Sequence, residues 1–377
     1  MDKNINILYV FGNGRKNRIE INNTDSKEFF YGYFSLKNDY QNTDFIEMLP
    51  IYSNKKNYKI ILEVTDKILR KISNLPFFFH LIVSYENFKK IKNSTHVIAT
   101  NDRLGLSILP IYLIAKLLSK KKLTVIVMGL FSKPRSNLII YLFQKLFLKF
   151  FILVTNKFIF LGEGEYQHAV SLYPAYLKKF EIVPFGVNTK FWINKNTKNF
   201  EYCDYVLFVG NDGNRDYESL IKIVNNNKEL KFVIVTNQIR SESFSQNNFK
   251  LFTGDWYNPS LTDNELKKLY INAKFTILPL KDSFQPSGQS VCLQSMSTGT
   301  PVIITKTKGF WDKNNFVNNK NIIFLDSNNI NLWSNQMKKL FYDKSVLETL
   351  SLNSIKTVEE NFDENNFTNK LKEIVFF

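Results

Sequence analysis

The chain has 377 residues, of which 44% are hydrophobic, and this composition excludes a disordered protein and suits two domains. Its formal net charge is +16, and most of the excess lies in residues 1–187, which carry 27 Lys and Arg against 14 Asp and Glu. A basic half indicates an anionic partner. Because no nucleic-acid-binding module or arginine-rich tract occurs, we expect an anionic membrane surface and no nucleic acid.

The histidines and cysteines do not form a recognisable metal site. His80, His96 and His168 are scattered, and Cys203 and Cys292 stand singly in hydrophobic runs. Neither set has the spacing of zinc ligands or of a redox pair. We therefore expect no metal, no bound cofactor and two buried thiols.

Two segments bear on the compartment of the protein. Residues 5–11 form only a short apolar run before Gly12, so we expect no signal peptide and a cytoplasmic protein. The most hydrophobic stretch, residues 138–154, carries Lys145 and Lys149 near its middle. Charges at that depth make a membrane-spanning helix costly.

Strands and helices are predicted to alternate along the first half of the chain. Apolar runs predict strands at 5–11, 45–49, 96–100, 123–128, 157–161 and 181–183. Helical patterns lie between them at 26–36, 60–72, 105–118 and 137–153, and from 164 onwards. This alternation predicts a parallel sheet with right-handed crossovers.

The alternation restarts after a polar segment. Strands are predicted at 205–209, 232–235, 250–252, 275–280, 301–304 and 322–324, with helices at 217–224, 266–272, 291–297 and through the remainder. We therefore predict an α/β protein of two Rossmann-like domains, residues 1–187 and 188–355, facing each other across a cleft. A C-terminal helix at 356–377 is expected to pack back on the first domain. Ligands should bind beyond the carboxyl ends of the strands.

The most informative loop lies between the predicted strand at 275–280 and the helix that follows it. Ser287, Gly288, Gln289 and Ser290 are small or polar residues at the start of this helix. A helix start of this kind presents backbone N–H groups and partial positive charge, which suits a diphosphate. Gln294 lies one turn further on, where we expect it to reach a ribose hydroxyl.

Residues 293–303, with the sequence LQSMSTGTPVI, resemble the helix-turn-strand of the retaining GT-B glycosyltransferases of the group 1, or family 4, type. That family has a spaced pair of glutamates here, and Pro286 and Gln294 stand at their positions. Residues 184–188 resemble the hinge motif that ends the first domain of such enzymes. The resemblance implies a GT-B fold and a nucleotide diphosphate sugar as donor.

A third match lies in the loop after the strand at 205–209. Residues 209–216 resemble the first loop of the donor domain, which begins near Gly210 and whose basic side chains meet the diphosphate. Arg215 stands at the family's Lys position, and Asn211 stands at its Arg position. We expect Lys281 to replace the missing charge and Thr236 to lie near the base.

The resemblance implies hexosyl transfer to a glycan or lipid-linked saccharide, with retention of configuration, in surface polysaccharide or glycolipid synthesis. Arg215 is expected to stabilise the leaving diphosphate without a metal. In the first half, Asp102 follows a predicted strand and is a candidate acceptor base, although a helix cap or a turn is the simpler explanation. Gly12 and Gly14 either approach the donor or form a plain turn.

Three hydrophobic stretches with neighbouring lysines leave two interpretations open. Residues 76–83, 108–118 and 138–150 are explained as buried segments of the fold, or as an interface that docks on the inner face of the cell membrane. Two alternatives to a transferase also remain. One is a nucleotide-sugar epimerase, and the other is a non-catalytic, membrane-associated protein that binds nucleotide sugars.

Overall fold

The computed structural model describes residues 5–21, 25–49, 57–132, 137–194, 198–254 and 259–376, the side chains of residues 57 and 58 excepted. Two segments that follow predicted strands, residues 133–135 after the strand at 123–128 and residues 255–258 after the strand at 250–252, lie outside these ranges. The final residue of the predicted C-terminal helix also lies outside them. The chain forms two compact units, and each is built on a six-stranded sheet whose neighbouring strands are parallel. The predicted α/β class is confirmed.

The first unit contains six strands in the order β2-β1-β3-β4-β5-β6. The strands are β1 (Ile7–Phe11), β2 (Thr43–Glu47), β3 (His96–Ala99), β4 (Lys122–Val127), β5 (Lys157–Phe160) and β6 (Phe180–Ile182). Every residue of β1 is buried. Continuous burial is typical of a parallel strand that has helices on both faces, and it explains the unbroken apolar runs of the sequence.

The helices of the first unit connect these strands. They are α1 (Arg15–Glu20), α2 (Tyr33–Asp39), α3 (Asn57–Ser73), α4 (Phe79–Ile82), α5 (Tyr85–Asn93), α6 (Asp102–Ser107), α7 (Leu109–Leu118), α8 (Leu138–Val154) and α9 (Glu163–Leu172). The connections from β2 to β3 to β4 to β5 all step in one direction across the sheet. Right-handed crossovers therefore put α3, α5, α7 and α8 on the same face.

The second unit has the strand order β12-β11-β10-β7-β8-β9. Its strands are β7 (Tyr205–Val209), β8 (Lys231–Val235), β9 (Phe249–Phe252), β10 (Ala273–Leu278), β11 (Val302–Thr305) and β12 (Ile323–Leu325). Its helices are α10 (Thr189–Trp192), α11 (Tyr217–Asn226), α12 (Asp263–Asn272), α13 (Gln289–Ser297), α14 (Ile330–Tyr342) and α15 (Lys344–Asn361). The last helix, α16 (Glu364–Phe376), begins in this unit.

The segment predicted as one helix at 26–36 is interrupted. A short 3-10 helix spans Lys27–Phe30, and α2 begins only at Tyr33. Tyr31 and Gly32 between them have φ values of 49° and 81°. This left-handed conformation is incompatible with a continuous α-helix.

The division between the units differs in detail from the predicted boundary after Val187. The second unit begins at Pro184, because Val187 donates its N–H to the carbonyl of Phe362 (2.8 Å) and accepts the N–H of Glu364 (2.9 Å). Residues 25–29 also belong to the second unit, although they lie early in the sequence.

The predicted C-terminal helix at 356–377 is divided between α15 and α16. Its residues return to the first unit only from Thr368 onwards, where the ring of Phe376 packs against the rings of Tyr40 and His96. No helix in the described part of the chain is long and apolar enough to cross a membrane.

Candidate functional site

The centre of the candidate site is Arg215, in the loop between β7 and α11. Its side chain is only 2% exposed, and the nearest carboxylate is that of Asp212, whose Oδ2 lies 3.4 Å from Nη1. The Nε and Nη1 atoms have no hydrogen-bond partner among the described residues. A buried guanidinium with unused donors is costly, which indicates that an anionic ligand completes this site.

Two glycines make room for this guanidinium. A Cβ added to Gly210 would lie 2.3 Å from Arg215 Nε, and a Cβ added to Gly288 would lie 3.1 Å from Nη1. Gly288 also has a φ of 80°, which other residues rarely adopt. The position of Arg215 therefore requires a glycine at 210, and at 288 the positive φ adds to the close approach of the guanidinium. Gly213, in contrast, has open space around it.

Gly288 is the N-cap residue of α13, so Arg215 lies at the start of that helix. Because Gly288 has no side chain, no side-chain oxygen caps the helix. Gln289 and Ser290 are its first two residues. The partial positive charge of the helix N-terminus and the Arg215 charge thus lie together.

Hydrogen bonds connect the loop after β7 to the loop before α13. Asn214 donates its side-chain N–H to Ser287 Oγ (2.9 Å) and accepts the backbone N–H of Lys281 (2.9 Å). Arg215 and Leu280 form an isolated β-bridge. These contacts bring Arg215, Lys281, Ser287 and Gly288 together, and the Lys281 side chain is exposed at their edge.

Asn211 and Thr236 connect the ends of three neighbouring strands. Asn211 Oδ1 accepts the Thr236 hydroxyl (3.1 Å) and the Asn237 N–H (2.8 Å). Its Nδ2 donates to the carbonyl of Gly254 (3.1 Å). Asn211 therefore fixes the edge of the site by hydrogen bonding, and it does not supply the charge that an arginine would bring there.

Gln294 is buried in a polar cluster. Its Nε2 donates to Glu28 Oε1 (2.8 Å), and its Oε1 accepts the Tyr270 hydroxyl (3.3 Å). Both ends of the amide are thus engaged within the protein, and the side chain is not simply extended towards a ligand as we expected. The role of Gln294 at a ribose remains a prediction.

Glu28 is the residue of this cluster that the sequence did not reveal. Its Oε1 also accepts the indole N–H of Trp192 (2.8 Å), and Oε2 accepts the backbone N–H of Asn188 (3.3 Å). Burial raises the Glu28 pKa to about 7, although these donors oppose the shift. No local pattern could have predicted this contact, because Glu28 lies 266 residues before Gln294.

In the first unit, Asp102 is the first residue of α6, and Asn101 caps the helix by accepting the Leu104 N–H (2.9 Å). Asp102 is buried and accepts the backbone N–H of Met128 (2.8 Å). It therefore helps to hold the loop after β4. A catalytic role for Asp102 stays a prediction.

Glu165 is a second buried carboxyl at the same loop. Its two oxygens accept the N–H groups of Gly129 (2.9 Å) and Phe131 (3.1 Å). Burial, followed by the nearby charge of Asp102, raises the pKa of Glu165 to about 8. No sequence signal singled out Glu165, since a glutamate in the first turn of a helix usually serves only the helix dipole.

Gly12 and Gly14 follow β1. Gly14 has a φ of 93° and is the N-cap residue of α1. The N–H groups of Arg15 and Lys16 donate to Glu47 Oε1, at 2.6 and 2.8 Å. Because Glu47 already binds the N-terminus of α1, these two groups are not available to a donor phosphate in this structure.

Among the described residues, no group of three or more His, Cys, Asp and Glu side chains is placed to hold a metal ion. Cys203 and Cys292 are buried free thiols. Burial is also the main cause of the raised pKa of both cysteines.

Comparison with solved structures establishes the fold class. A glycosyltransferase from Rickettsia africae is similar over 99% of both chains, with a TM-score of 0.62 and 16% identity. Sucrose-phosphate synthase from Thermosynechococcus elongatus is similar over 98% of both chains, with a TM-score of 0.67 and 12% identity. The chain has the GT-B fold.

A third GT-B protein, HepE from Anabaena in complex with UDP-glucose, is similar over 98% of both chains, with a TM-score of 0.63 and 11% identity. At such identities the likeness extends to the fold alone. No protein-family model matches the chain, and neither does any curated protein sequence.

Proposed function

We propose that this GT-B protein is a glycosyltransferase that transfers a hexose from a nucleotide diphosphate sugar to a glycan or a lipid-linked saccharide. The observation that carries the proposal is the buried Arg215, which has unused N–H donors at the N-terminus of α13. A diphosphate supplies the acceptor atoms that these donors lack. The shared fold with HepE, which has been solved with UDP-glucose, supports the same donor class.

The proposed chemistry needs a positive site for the leaving group. When the bond between the sugar and the diphosphate breaks, negative charge develops on the diphosphate. Arg215 and the α13 N-terminus stabilise that charge in a buried, pre-organised position. Lys281, exposed at the edge of the same loop cluster, adds long-range attraction. In this proposal these groups replace a metal ion.

Retention of configuration is part of the proposal and rests on the family resemblance of residues 293–303. Asp102 in the first unit is the proposed acceptor base. The excess of basic residues in the first half supports an acceptor held at an anionic membrane, on the inner face of the cell membrane. Surface polysaccharide or glycolipid synthesis is the process that fits such an acceptor.

A panel of nucleotide diphosphate sugars tests the proposal. The purified protein is incubated with each donor, and release of the nucleoside diphosphate is measured with and without added glycan or lipid acceptors. We expect turnover of at least one donor, accelerated by an acceptor, and an α-configured donor should give an α-linked product by NMR. Tight binding of a donor without any turnover would instead support the non-catalytic binding protein.

One observation favours that second candidate. Gln294, which stands at a glutamate position of the family, has both ends of its amide engaged by Glu28 and Tyr270. A protein that only binds nucleotide sugars needs the Arg215 site and no acidic pair. The donor panel separates the two candidates, because only the enzyme releases nucleoside diphosphate.

A further inference from the structure

Helix α8 presents an apolar side to solvent. Its buried side consists of Gln144, Leu148, Phe151 and Ile152. The opposite side carries large apolar residues that are 44% to 71% exposed: Leu138, Ile139, Leu142, Leu146, Phe150 and Leu153. A surface helix normally places polar residues there, so this pattern requires a partner.

Helix α3 packs beside α8 in the first unit and repeats the same pattern. Ile60, Ile61, Val64 and Ile68 are 52% to 71% exposed. The spacing of Ile60, Val64 and Ile68 puts them on one side of the helix. We call the exposed apolar side chains of α3 and α8 given above the α3–α8 face.

Lysines accompany the apolar residues on both helices. Lys67 and Lys71 on α3, and Lys145 and Lys149 on α8, are exposed. Each of them follows an exposed apolar residue by three positions, which places it beside that residue on the helix surface. Helix α8 has no acidic residue. On α3, Asp66 is buried and Glu63 forms an ion pair with Lys67 (3.1 Å), so Lys71, Lys145 and Lys149 supply most of the positive charge of this surface.

The other two hydrophobic stretches, residues 76–83 and 108–118, differ from each other in how far they are exposed. In the stretch at 76–83, Phe77, Phe79, Leu81 and Ile82 are buried, so this segment belongs to the core and cannot dock on a membrane as it stands. Helix α7 exposes Leu117 near its end, and its Lys116 Nζ donates to the carbonyl of Val154, the last residue of α8 (3.1 Å). The end of α7 therefore lies next to α8.

The geometry points to an anionic lipid bilayer as the partner of the α3–α8 face. Apolar residues enter the interface between head groups and acyl chains, while the neighbouring lysines contact anionic head groups. A second copy of the chain fits less well, because a symmetric contact through this face would bring two identical sets of lysines together. This inference relies on the proposed function only for the membrane-bound acceptor, since the docking itself needs no sugar donor.

Vesicle sedimentation tests the inference. The full-length protein is mixed with vesicles of phosphatidylcholine alone or with phosphatidylglycerol added, at low and at physiological salt and without nucleotide. We expect binding to the phosphatidylglycerol vesicles that weakens at higher salt. Leu146→Glu, at a position 61% exposed, should reduce binding at least five-fold. The double variant Lys145→Gln, Lys149→Gln should bind less to the vesicles that contain phosphatidylglycerol, and its binding to vesicles of phosphatidylcholine alone should not change.

The matched control is Leu352→Glu, which changes a leucine of similar exposure (67%) on α15 of the second unit. Equal loss of binding in Leu146→Glu and Leu352→Glu, or no vesicle binding by the unmodified protein, would overturn the inference. Light scattering measures whether the protein is a monomer or a dimer. If the unmodified protein is a dimer and Leu146→Glu is a monomer, the face joins two copies and is not a membrane surface.

Discussion

Arg215 lies close to Gly288, the N-cap residue of α13: a Cβ added to this glycine would lie 3.1 Å from Nη1 of the guanidinium. This position aligns a buried positive charge with the N-terminus of a helix. This arrangement is unfavourable in two respects. Two guanidinium nitrogens of Arg215 lack hydrogen-bond partners among the described residues, and Gly288 has a left-handed backbone conformation. Such local costs are expected where a ligand completes the structure.

The first prediction concerns the space around Arg215. Gly210→Ala should lower the affinity for nucleoside diphosphates at least ten-fold, about 1.4 kcal/mol, because its Cβ would displace Arg215 Nε. Isothermal titration calorimetry measures the change. Gly213→Ala in the same loop has open space and should bind like the unmodified protein. If the two alanine variants have equal affinity, Gly210 does not position the arginine.

The second prediction concerns stability without ligand. Arg215→Met keeps an unbranched side chain and removes a buried charge that is not fully hydrogen-bonded. We therefore expect thermal unfolding at the same temperature or higher, because the buried guanidinium has the exposed Asp212 carboxylate as its charge partner, at 3.4 Å, and two of its nitrogens lack hydrogen bonds to the described residues. A marked fall in the unfolding temperature would show that Arg215 has a mainly structural role.

The third prediction concerns the pH dependence of stability in the second unit. Because burial raises the Glu28 pKa to about 7, the protonated carboxyl stabilises the folded state at pH 5, and this contribution is lost as the pH rises through 7. Glu28→Gln cannot ionise. The stability difference between the two proteins should therefore change by roughly 3 kcal/mol between pH 5 and pH 8, in favour of the variant at high pH.

Urea unfolding at pH 5, 6, 7 and 8 measures this difference. The Glu364 pKa is also raised to about 7, by burial and then by the nearby charge of Glu28. The comparison is therefore made in a Glu364→Gln background, which removes this second titration from both proteins. A difference that does not vary with pH would mean that Glu28 remains ionised throughout this range.

The fourth prediction separates two roles of Asp102. Asp102→Asn retains an oxygen that can accept the Met128 N–H, so the loop after β4 should keep its conformation. If Asp102 is the acceptor base, kcat for transfer should fall roughly 100-fold while the affinity for nucleoside diphosphates stays the same. An unchanged kcat would restrict Asp102 to holding the loop.

The sequence predicted the architecture well because parallel strands covered on both faces produce long apolar runs that are easily recognised. The Arg215 loop and the start of α13 were recognisable in the sequence as a candidate anion site, since glycines and small polar residues at strand ends are typical of such sites. The packing of Arg215 against Gly288 needed the structure, because it joins two loops that are separated by β8, β9 and β10.

Other features depend on long-range packing and had no local signal. Glu28 meets Gln294 only because residues 25–29 belong to the second unit, which nothing in that segment indicates. The solvent exposure of apolar segments also could not be predicted from the sequence. Residues 76–83 and helix α8 are both strongly apolar. Most of the large apolar side chains of the first segment are buried, whereas one side of α8 is exposed to solvent. Composition and periodicity cannot distinguish these two cases, because each depends on which neighbours cover the segment.

The most direct test of the central claim is a calorimetric comparison of nucleoside diphosphates with the corresponding monophosphates, titrated into the unmodified protein and into Arg215→Met. We expect one diphosphate to bind the unmodified protein at least ten-fold more tightly than its monophosphate. Arg215→Met should lose this preference, while Lys231→Ala, which removes an exposed charge paired with Asp204 at the other end of β8, should retain it. A diphosphate preference that survives in Arg215→Met would show that Arg215 does not bind the diphosphate.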